Sequence, residues 1–334
     1  MILLDALYIN MGGGKVLLDY LIRTLGQSGL QVHFLLDERI KDKHPLIEQN
    51  SCTYLRAGLK TRYQFYAAHK NSYTKVLCFA SIPPPIKLKA TVYTYFHQLL
   101  YLQVPKNSGF KFTLLAKLKS AVSRMLKSNT NYWVVQSESV KAQLIQKYKL
   151  SAAQVLVIPF YPATVKDAGY TKIPGTFTYV SLPASYKNHE RLLQAFTLSH
   201  LKTDMGQLHL TVNDQFPQLL QQIEVLQQQG IPIINHGFLN KTALHQLYSS
   251  SAFVVYPSLA ESFGLGIIEA MEQGCEIMAA NLPYVHAICK PALSFNPLDV
   301  TDMANAFERA LHNDYSSSKQ LVFNEIKQLI KLLS

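Results

Sequence analysis

The chain has 334 residues, 48% of them apolar and only 16% charged; this length exceeds one core at roughly 150 residues per domain, and the balance excludes a disordered chain. The formal net charge of +11 is uneven, because residues 1–165 hold 21 Lys/Arg against 7 Asp/Glu, a net +14, while residues 166–334 hold 11 against 14, a net −3. No apolar run reaches the ~18–20 residues that span a bilayer, the opening MILLDALYIN has no basic leader or cleavage site, and Cys52, Cys78, Cys275 and Cys289 form no CxxC pair, so a reduced, cytoplasmic setting is expected.

In chain order, strands are predicted at Ile2–Ile9, Gln31–Leu36, Lys75–Phe79, Thr91–Tyr95, Tyr132–Gln136 and Gln154–Ile158, with helix-length amphipathic stretches between them. Gly12, Gly13 and Gly14 fall between the first strand and the first helix, where glycines permit a tight turn and leave N–H groups facing a ligand. With Asp37 after the next strand the layout also invites a dinucleotide reading, but the fingerprint G-x-G-x-x-G needs glycine where Leu17 stands. His97 follows the strand Thr91–Tyr95, at what would be the carboxyl edge of a sheet. A lone histidine beside Phe and Leu is otherwise a packed polar residue.

The stretch Gly109–Ser128 carries Lys111, Lys117, Lys119, Arg124 and Lys127 among Phe, Leu, Val and Met, with no acid. Such a helix lies on an anionic membrane surface or binds a polyanion; the alternative is the solvated face of a helix packed on a core. Pro159–Gly175, with three prolines and two glycines, reads as a linker and hinge. Beyond it, strands are predicted at Thr176–Leu182, Gln207–Val212, Pro232–Asn235, Ala252–Tyr256 and Glu276–Ala279, and two terminal helices at Asp299–Asn313 and Ser318–Leu333. The alternation throughout predicts an α/β chain with two doubly wound parallel sheets: one domain over residues 1–162, a second over 163–314, and a terminal helix within 315–334 that crosses back to the first.

The most informative stretch is Phe253–Gly274, FVVYPSLAESFGLGIIEAMEQG. A buried strand leads into a loop holding Glu261, then into a helix that opens near Gly264 and stops before Gly274. At the carboxyl edge of a parallel sheet, the N–H groups of Phe263, Gly264 and Leu265 and the helix dipole suit a diphosphate, and Gly264 and Gly266 let it approach. Glu261 and Glu269 flank that anion site. Carboxylates beside a phosphate are useful as acceptors for hydroxyls, and the two oxygens of each match a vicinal diol.

The spacing of Glu261 and Glu269 within ESFGLGIIE, with HGFLNKTALHQLYSSSAFVVYPS before it and NLPYVHAICKPALSFNPLDVTDMANAFERAL after it, resembles the retaining glycosyltransferases of the GT-B fold, family four, over about Phe177 to Leu311. The resemblance implies two Rossmann-like domains facing across a cleft. It also implies that Glu269 grips the nucleotide ribose and Glu261 the hydroxyls of the transferred sugar.

In YVSLPASYKNHERLLQAF, Lys187 matches the family's diphosphate-binding lysine, followed by Asn188 on the same donor-binding turn; its alternative is a solvated lysine before a helix. The family arginine has no clear counterpart, since Leu182 or Ser185 stands near its place. The KNH variant resembles a subgroup among surface-polysaccharide enzymes. The resemblance further implies that the loop bearing Gly13 and Gly14 approaches the donor and that His97 lies near the transferred sugar. Ser137 and Glu138 open the helix of VVQSESVKAQL, with Glu138 either a capping-box-type residue or an acceptor contact.

No Asp-x-Asp motif or His/Asp cluster is present, so no metal and no further cofactor is expected beside the nucleotide-diphosphate sugar, whose leaving group Lys187 and backbone amides would balance. The resemblance implies retention by same-face attack, without separate general base or enzyme nucleophile, unlike the paired carboxylates of retaining hydrolases. The +14 half favours a saccharide or polyprenyl-diphosphate-linked acceptor at the inner face of a membrane, hence a role in O-antigen or capsule assembly. Three alternatives share parts of the pattern: a GT-B sugar-nucleotide epimerase, a dinucleotide oxidoreductase, and a nucleic-acid-binding protein. The last rests on charge alone, with no nucleic-acid motif, so no nucleic-acid partner is expected.

Overall fold

Strands buried on both faces read as nearly continuous apolar runs, and those runs form two parallel sheets in a computed structural model that describes residues 1–47, 50–102, 110–164 and 169–334. The first unit takes in the described residues up to Leu102, those from Phe110 to Pro162, and Phe323–Ser334; the second takes in the described residues of 163–322.

In the first unit, β1 (Ile2–Asp5) leads through α1 (Gly12–Gly26) to β2 (Val32–Asp37) and β3 (Ser51–Leu55), then through α2 (Leu59–Ala68) to β4 (Lys75–Cys78) and β5 (Thr91–Tyr95). After α3 (Phe110–Met125) come β6 (Tyr132–Val135), α4 (Glu138–Tyr148) and β7 (Val155–Val157). The sheet order is β3-β2-β1-β4-β5-β6-β7, parallel throughout. Helix α1 turns Leu17, Leu18, Leu21, Ile22 and Leu25 inward, the spacing of one helical face. Trp133 packs edge-on against Phe96 and Tyr148, at 6.0 and 5.5 Å between ring centroids.

In the second unit, β8 (Ile173–Tyr179), α5 (His189–Thr203), β9 (Gln207–Leu210), α6 (Pro217–Gln228), β10 (Ile233–Asn235), α7 (Lys241–Ser250), β11 (Ser251–Tyr256), α8 (Leu265–Glu272) and β12 (Glu276–Ala280) alternate regularly. They are followed by α9 (Pro283–His286), β13 (Cys289–Lys290), β14 (Leu293–Phe295), α10 (Val300–Leu311), β15 (Lys319–Gln320) and α11 (Ile326–Leu333), the last of which joins the first unit. The main sheet runs β10-β9-β8-β11-β12-β14, again parallel. Phe177 meets Phe253 and Phe307 at its centre, at 5.5 and 4.7 Å. Asp299 caps α10, accepting from the amides of Thr301 and Asp302 at 2.9 and 3.1 Å.

Four expectations are corrected. The first strand stops at Asp5, and Tyr8, at φ 91°, already lies in the following loop. Ser51–Leu55 and Leu293–Phe295 are strands that the apolar pattern missed, the first only half-buried and the second only three residues long. The proposed linker is shorter at both ends, since Phe160 and Tyr161 are buried and β8 begins at Ile173. The helix expected over Ser318–Leu333 starts only at Ile326, because Lys319 and Gln320 pair antiparallel with Lys290 and Cys289.

Candidate functional site

Each sheet reverses its strand order once, between β1 and β4 in the first unit and between β8 and β11 in the second. Loops leaving neighbouring strands in opposite directions open a crevice at their carboxyl ends, the usual place for a ligand in such sheets. In the second unit the loop after β8 brings Lys187 there, and the loop after β11 brings Glu261. The two form an ion pair, with side chains 16% and 13% exposed.

Local hydrogen bonds explain why these loops meet. Tyr179 Oη donates to the Lys187 carbonyl at 2.9 Å and accepts from Ser258 Oγ at 3.0 Å. The Leu259 amide donates to the Tyr186 carbonyl at 2.7 Å, and Tyr284 Oη to the Ser258 carbonyl at 2.8 Å. Asn188 sits at φ 62°, a left-handed position that asparagine tolerates. Its amide donates to the carbonyls of Pro257 (3.2 Å) and Pro297 (2.7 Å), while its Oδ1 accepts from Arg191 at 3.0 Å. The side chain of Asn188 therefore ties the two loops behind Lys187. The Lys187 ammonium lies 5.5 Å from the Tyr186 ring centroid. Tyr179, Tyr186 and Ser258 were not singled out from the sequence; the only signal was their place within YVSLPASYKNH and just after Pro257.

Gly264, at φ 73°, is the N-terminal cap of α8, a left-handed position that strains any larger residue; a Cβ there would also crowd Ile288 Cδ1, at 3.2 Å. The amides of Gly264, Leu265 and Gly266 have no backbone acceptor among the described residues, as expected for a first turn awaiting an anion. Phe263 is buried beside them. Glu269 stands in the second turn, half-buried, its carbonyl accepting from the Gln273 amide at 3.2 Å and its carboxylate without a hydrogen-bond donor among the described residues. Burial raises its pKa to about 7; Lys241 pulls it down and Glu272 pushes it up further. A carboxyl group held out of water without a donor is prepared to accept hydroxyl groups. His189, behind this loop, is lowered to about 4 by burial first and the Lys187 charge second.

Leu182 and Ser185, the two positions near the family arginine, are exposed and bring no cation. Among the described residues no three His, Cys, Asp or Glu side chains come together as a metal-binding group.

In the first unit the three glycines are the first turn of α1 rather than a loop before it. A Cβ on Gly13 would meet nothing within 4 Å, whereas one on Gly14 would lie 3.5 Å from His97 Nε2, so the structure brings Gly14 and His97 together. His97 packs on Phe79 and Tyr95, its Nδ1 is enclosed without a partner, and burial lowers its pKa to about 4. Ser137 caps α4 by accepting from Val140 N at 3.3 Å, while Glu138, at the first helical position, is exposed and not placed for a capping box. Of the basic stretch, Gly109 and the side chain of Lys111 lie outside the described residues. Over the rest, Leu114, Leu118 and Met125 are exposed beside Lys117, Lys119 and Arg124, and Ala116, Ser120 and Ser123 face inward.

With that geometry the fold is the GT-B fold seen in solved glycosyltransferases. The likeness of fold extends over more than nine tenths of the chain: a sucrose-phosphate synthase from Thermosynechococcus elongatus superposes with a TM-score of 0.69 at 17% identity, covering 93% of this chain and 90% of that one. The lipopolysaccharide outer core galactosyltransferase WaaB does so with 0.65 at 16%, covering 94% and 90%, and HepE from Anabaena, solved with UDP-glucose, with 0.67 at 14%, covering 94% and 90%.

Residues 170–328 match in sequence the model of the family glycosyl transferases group 1. In sequence the chain is similar to the serotype-specific mannosyltransferase WbdA of Escherichia coli, 24% identical over 264 residues, which are 75% of this chain and 32% of that protein. It is also similar to the sulfoquinovosyl transferase SQD2 of Arabidopsis thaliana, 33% identical over 90 residues, 25% of this chain and 18% of that one. The chain thus spans under a third of the length of WbdA.

Proposed function

We propose that the chain transfers a sugar from a nucleoside-diphosphate sugar to a saccharide acceptor, with retention at the anomeric carbon and without a metal ion. The observation that carries this reading is the pairing of Lys187 with Glu261 at the β8/β11 switch point, next to the unpartnered Glu269 and the first-turn amides of α8. In the free chain Lys187 and Glu261 neutralise each other. Donor binding exchanges partners: the diphosphate takes Lys187 and the α8 amides, and Glu261 is released to sugar hydroxyls while Glu269 accepts from the ribose diol. As the glycosidic bond breaks, charge grows on the departing diphosphate, where a fixed cation and aligned amides stabilise it best. The acceptor hydroxyl attacks the same face and passes its proton to that phosphate oxygen.

The solved complexes of HepE with UDP-glucose support a nucleotide-sugar donor, and the names of WbdA and WaaB support a place in surface-polysaccharide assembly. For the acceptor we favour a polyprenyl-diphosphate-linked saccharide taken by the basic first unit, with α3 resting its exposed leucines and lysines on an anionic leaflet. Among the described residues no helix is long and apolar enough to cross a membrane.

The test is a thermal-shift panel of UDP, GDP, dTDP, ADP and CDP. A ligand that binds only the folded chain stabilises it with the logarithm of its concentration, so one diphosphate should raise the unfolding temperature and Glu269→Ala should abolish the rise. No shift with any of the five, or an undiminished shift in Glu269→Ala, would remove the donor site from this place. Product analysis with and without acceptor then separates transfer from epimerisation.

A further inference from the structure

The first unit carries, at its own switch point, a segment whose construction nothing in sugar transfer by itself requires. After β4 the chain runs through Ser81, Ile82, Pro83 and Pro84, all buried. Two of these residues are prolines and have no N–H, so the segment cannot satisfy itself as a helix or strand. Its four carbonyls are instead met by three side chains from different parts of the unit.

Ser123 Oγ, on the inner face of α3, donates to the Ser81 carbonyl at 2.8 Å. Arg62, on α2, spreads its guanidinium across the next two, Nη2 donating to Ile82 O at 2.9 Å and Nη1 to Pro83 O at 2.8 Å. Asn129 Nδ2 donates to Pro84 O at 2.9 Å. Arg62 is fixed in turn by Asp5, at the end of β1, through Nε at 2.8 Å and Nη2 at 2.7 Å, both side chains being almost fully buried.

This anchoring ends on a strained residue. Ser81 has φ 62°, in the left-handed region that a non-glycine residue rarely occupies unless its surroundings over-determine it. Its amide donates to the Tyr95 carbonyl at 3.2 Å, and its Oγ accepts from the backbone amide of His97 at 3.1 Å. The turn therefore grips the chain on both sides of Phe96.

We infer that Arg62 and Ser81 are positioning residues for His97: the Asp5–Arg62 pair locks the Ser81–Pro84 bracket, and the bracket fixes the backbone from which the imidazole reaches Gly14. The inference rests on the proposed role of His97 beside the transferred sugar only for its effect on turnover. The bracket itself is tested without substrate.

Ser81→Gly removes the acceptor and at the same time suits the left-handed position, while Ser81→Ala removes the same acceptor and keeps the strain. Arg62→Lys keeps a charge opposite Asp5 but has no planar fork to reach two carbonyls. The readout is the ring Cε1 resonance of His97 in the full-length chain labelled at histidine, assigned by its loss in His97→Gln. Both Ser81 variants should shift and broaden that resonance alike, although Ser81→Gly melts at or above the wild-type temperature and Ser81→Ala below it. Arg62→Lys should move it in the same direction. An unchanged His97 resonance in Ser81→Gly and Arg62→Lys overturns the inference.

Turnover, followed as release of nucleoside diphosphate from UDP-glucose and GDP-mannose, adds a second arm. Ser81→Gly should lower kcat roughly three- to tenfold with KM unchanged, the loss of one aligned hydrogen bond behind a reacting group. If His97→Ala leaves turnover intact while the resonance still moves in the Ser81 variants, the sugar-contact reading of His97 fails and the bracket stands.

Discussion

Each switch point holds a buried or half-buried ion pair, Asp5 at the end of β1 with Arg62 of α2 in the first unit and Lys187 after β8 with Glu261 after β11 in the second, and the two are used oppositely. In the first unit Asp5 and Arg62 are 1% and 3% exposed. Asp5 and two carbonyls occupy the guanidinium; burial acts against its charge, but Asp5, Tyr66 and Cys78 together more than offset that, so the arginine is held charged. In the second unit Lys187 and Glu261 remain partly exposed, and the ammonium has one carboxylate and one aromatic face for company. A saturated, sealed pair serves architecture. A pair with spare donors within reach of solvent can be exchanged for a ligand.

Substitution separates the two most sharply. Arg62→Met leaves Asp5 uncompensated in the core and uncaps two carbonyls, and should lower unfolding stability by about 3–5 kcal/mol in denaturant titrations. Lys187→Met should cost about 1 kcal/mol or less, because its partner can turn to water, while lowering turnover by roughly 10²- to 10³-fold as the leaving diphosphate loses its cation. Equal destabilisation by the two would break the comparison. Glu261→Gln sharpens it: turnover should fall by a similar factor with nucleotide affinity nearly kept, since the amide retains one acceptor but not the charge.

How much of this was legible in the sequence follows from what each pattern encodes. Parallel strands buried on both faces are continuous apolar runs, so β8, β11 and β12 could be read within a few residues, and the glycine and glutamate spacing around Gly264 marked the second switch point. The half-buried edge strand Ser51–Leu55 and the short β14 carry no such run and were missed. The terminal segment failed for a different reason: Lys319 and Gln320 pair with β13, a tertiary contact that local amphipathicity does not encode. Arg62 lies 57 residues from Asp5 and was not singled out, because nothing local marks it. Only burial shows it to be the centre of a network. The Lys187–Glu261 contact, across 74 residues, was legible only through a family resemblance that placed both at one ligand.

Histidines offer a smaller contrast. Burial holds His97 in the first unit, and His189 and His209 in the second, near pKa 4. Each binds its proton more readily unfolded, so stability is fully present above about pH 6.5 and is lost as the pH falls toward 4. His97→Gln should reduce the acid sensitivity of the first unit, measured as the loss of denaturation midpoint between about pH 7 and 5.

Glu269 has the opposite sign. Folded, it keeps its proton up to about pH 7, against an ordinary value of 4.5. Between those values the folded state binds more protons than the unfolded one, so this group's stabilising contribution is complete below about pH 4.5 and disappears as the pH rises through 7. Glu269→Gln removes the cost of burying the charge. It should therefore raise stability at pH 8 by about 1 kcal/mol, discounted for the group's partial exposure, and change little near pH 4.5. The same substitution should weaken binding of the favoured nucleoside diphosphate at pH 8, because a ribose diol prefers a carboxylate to an amide. In the wild type that affinity should fall as the pH drops below about 7, with release of up to one proton measurable by calorimetry in two buffers of different ionisation enthalpy. A Glu269→Gln chain that is less stable at pH 8 and still binds nucleotide with the wild-type pH dependence would make Glu269 a packing residue and move the ribose elsewhere.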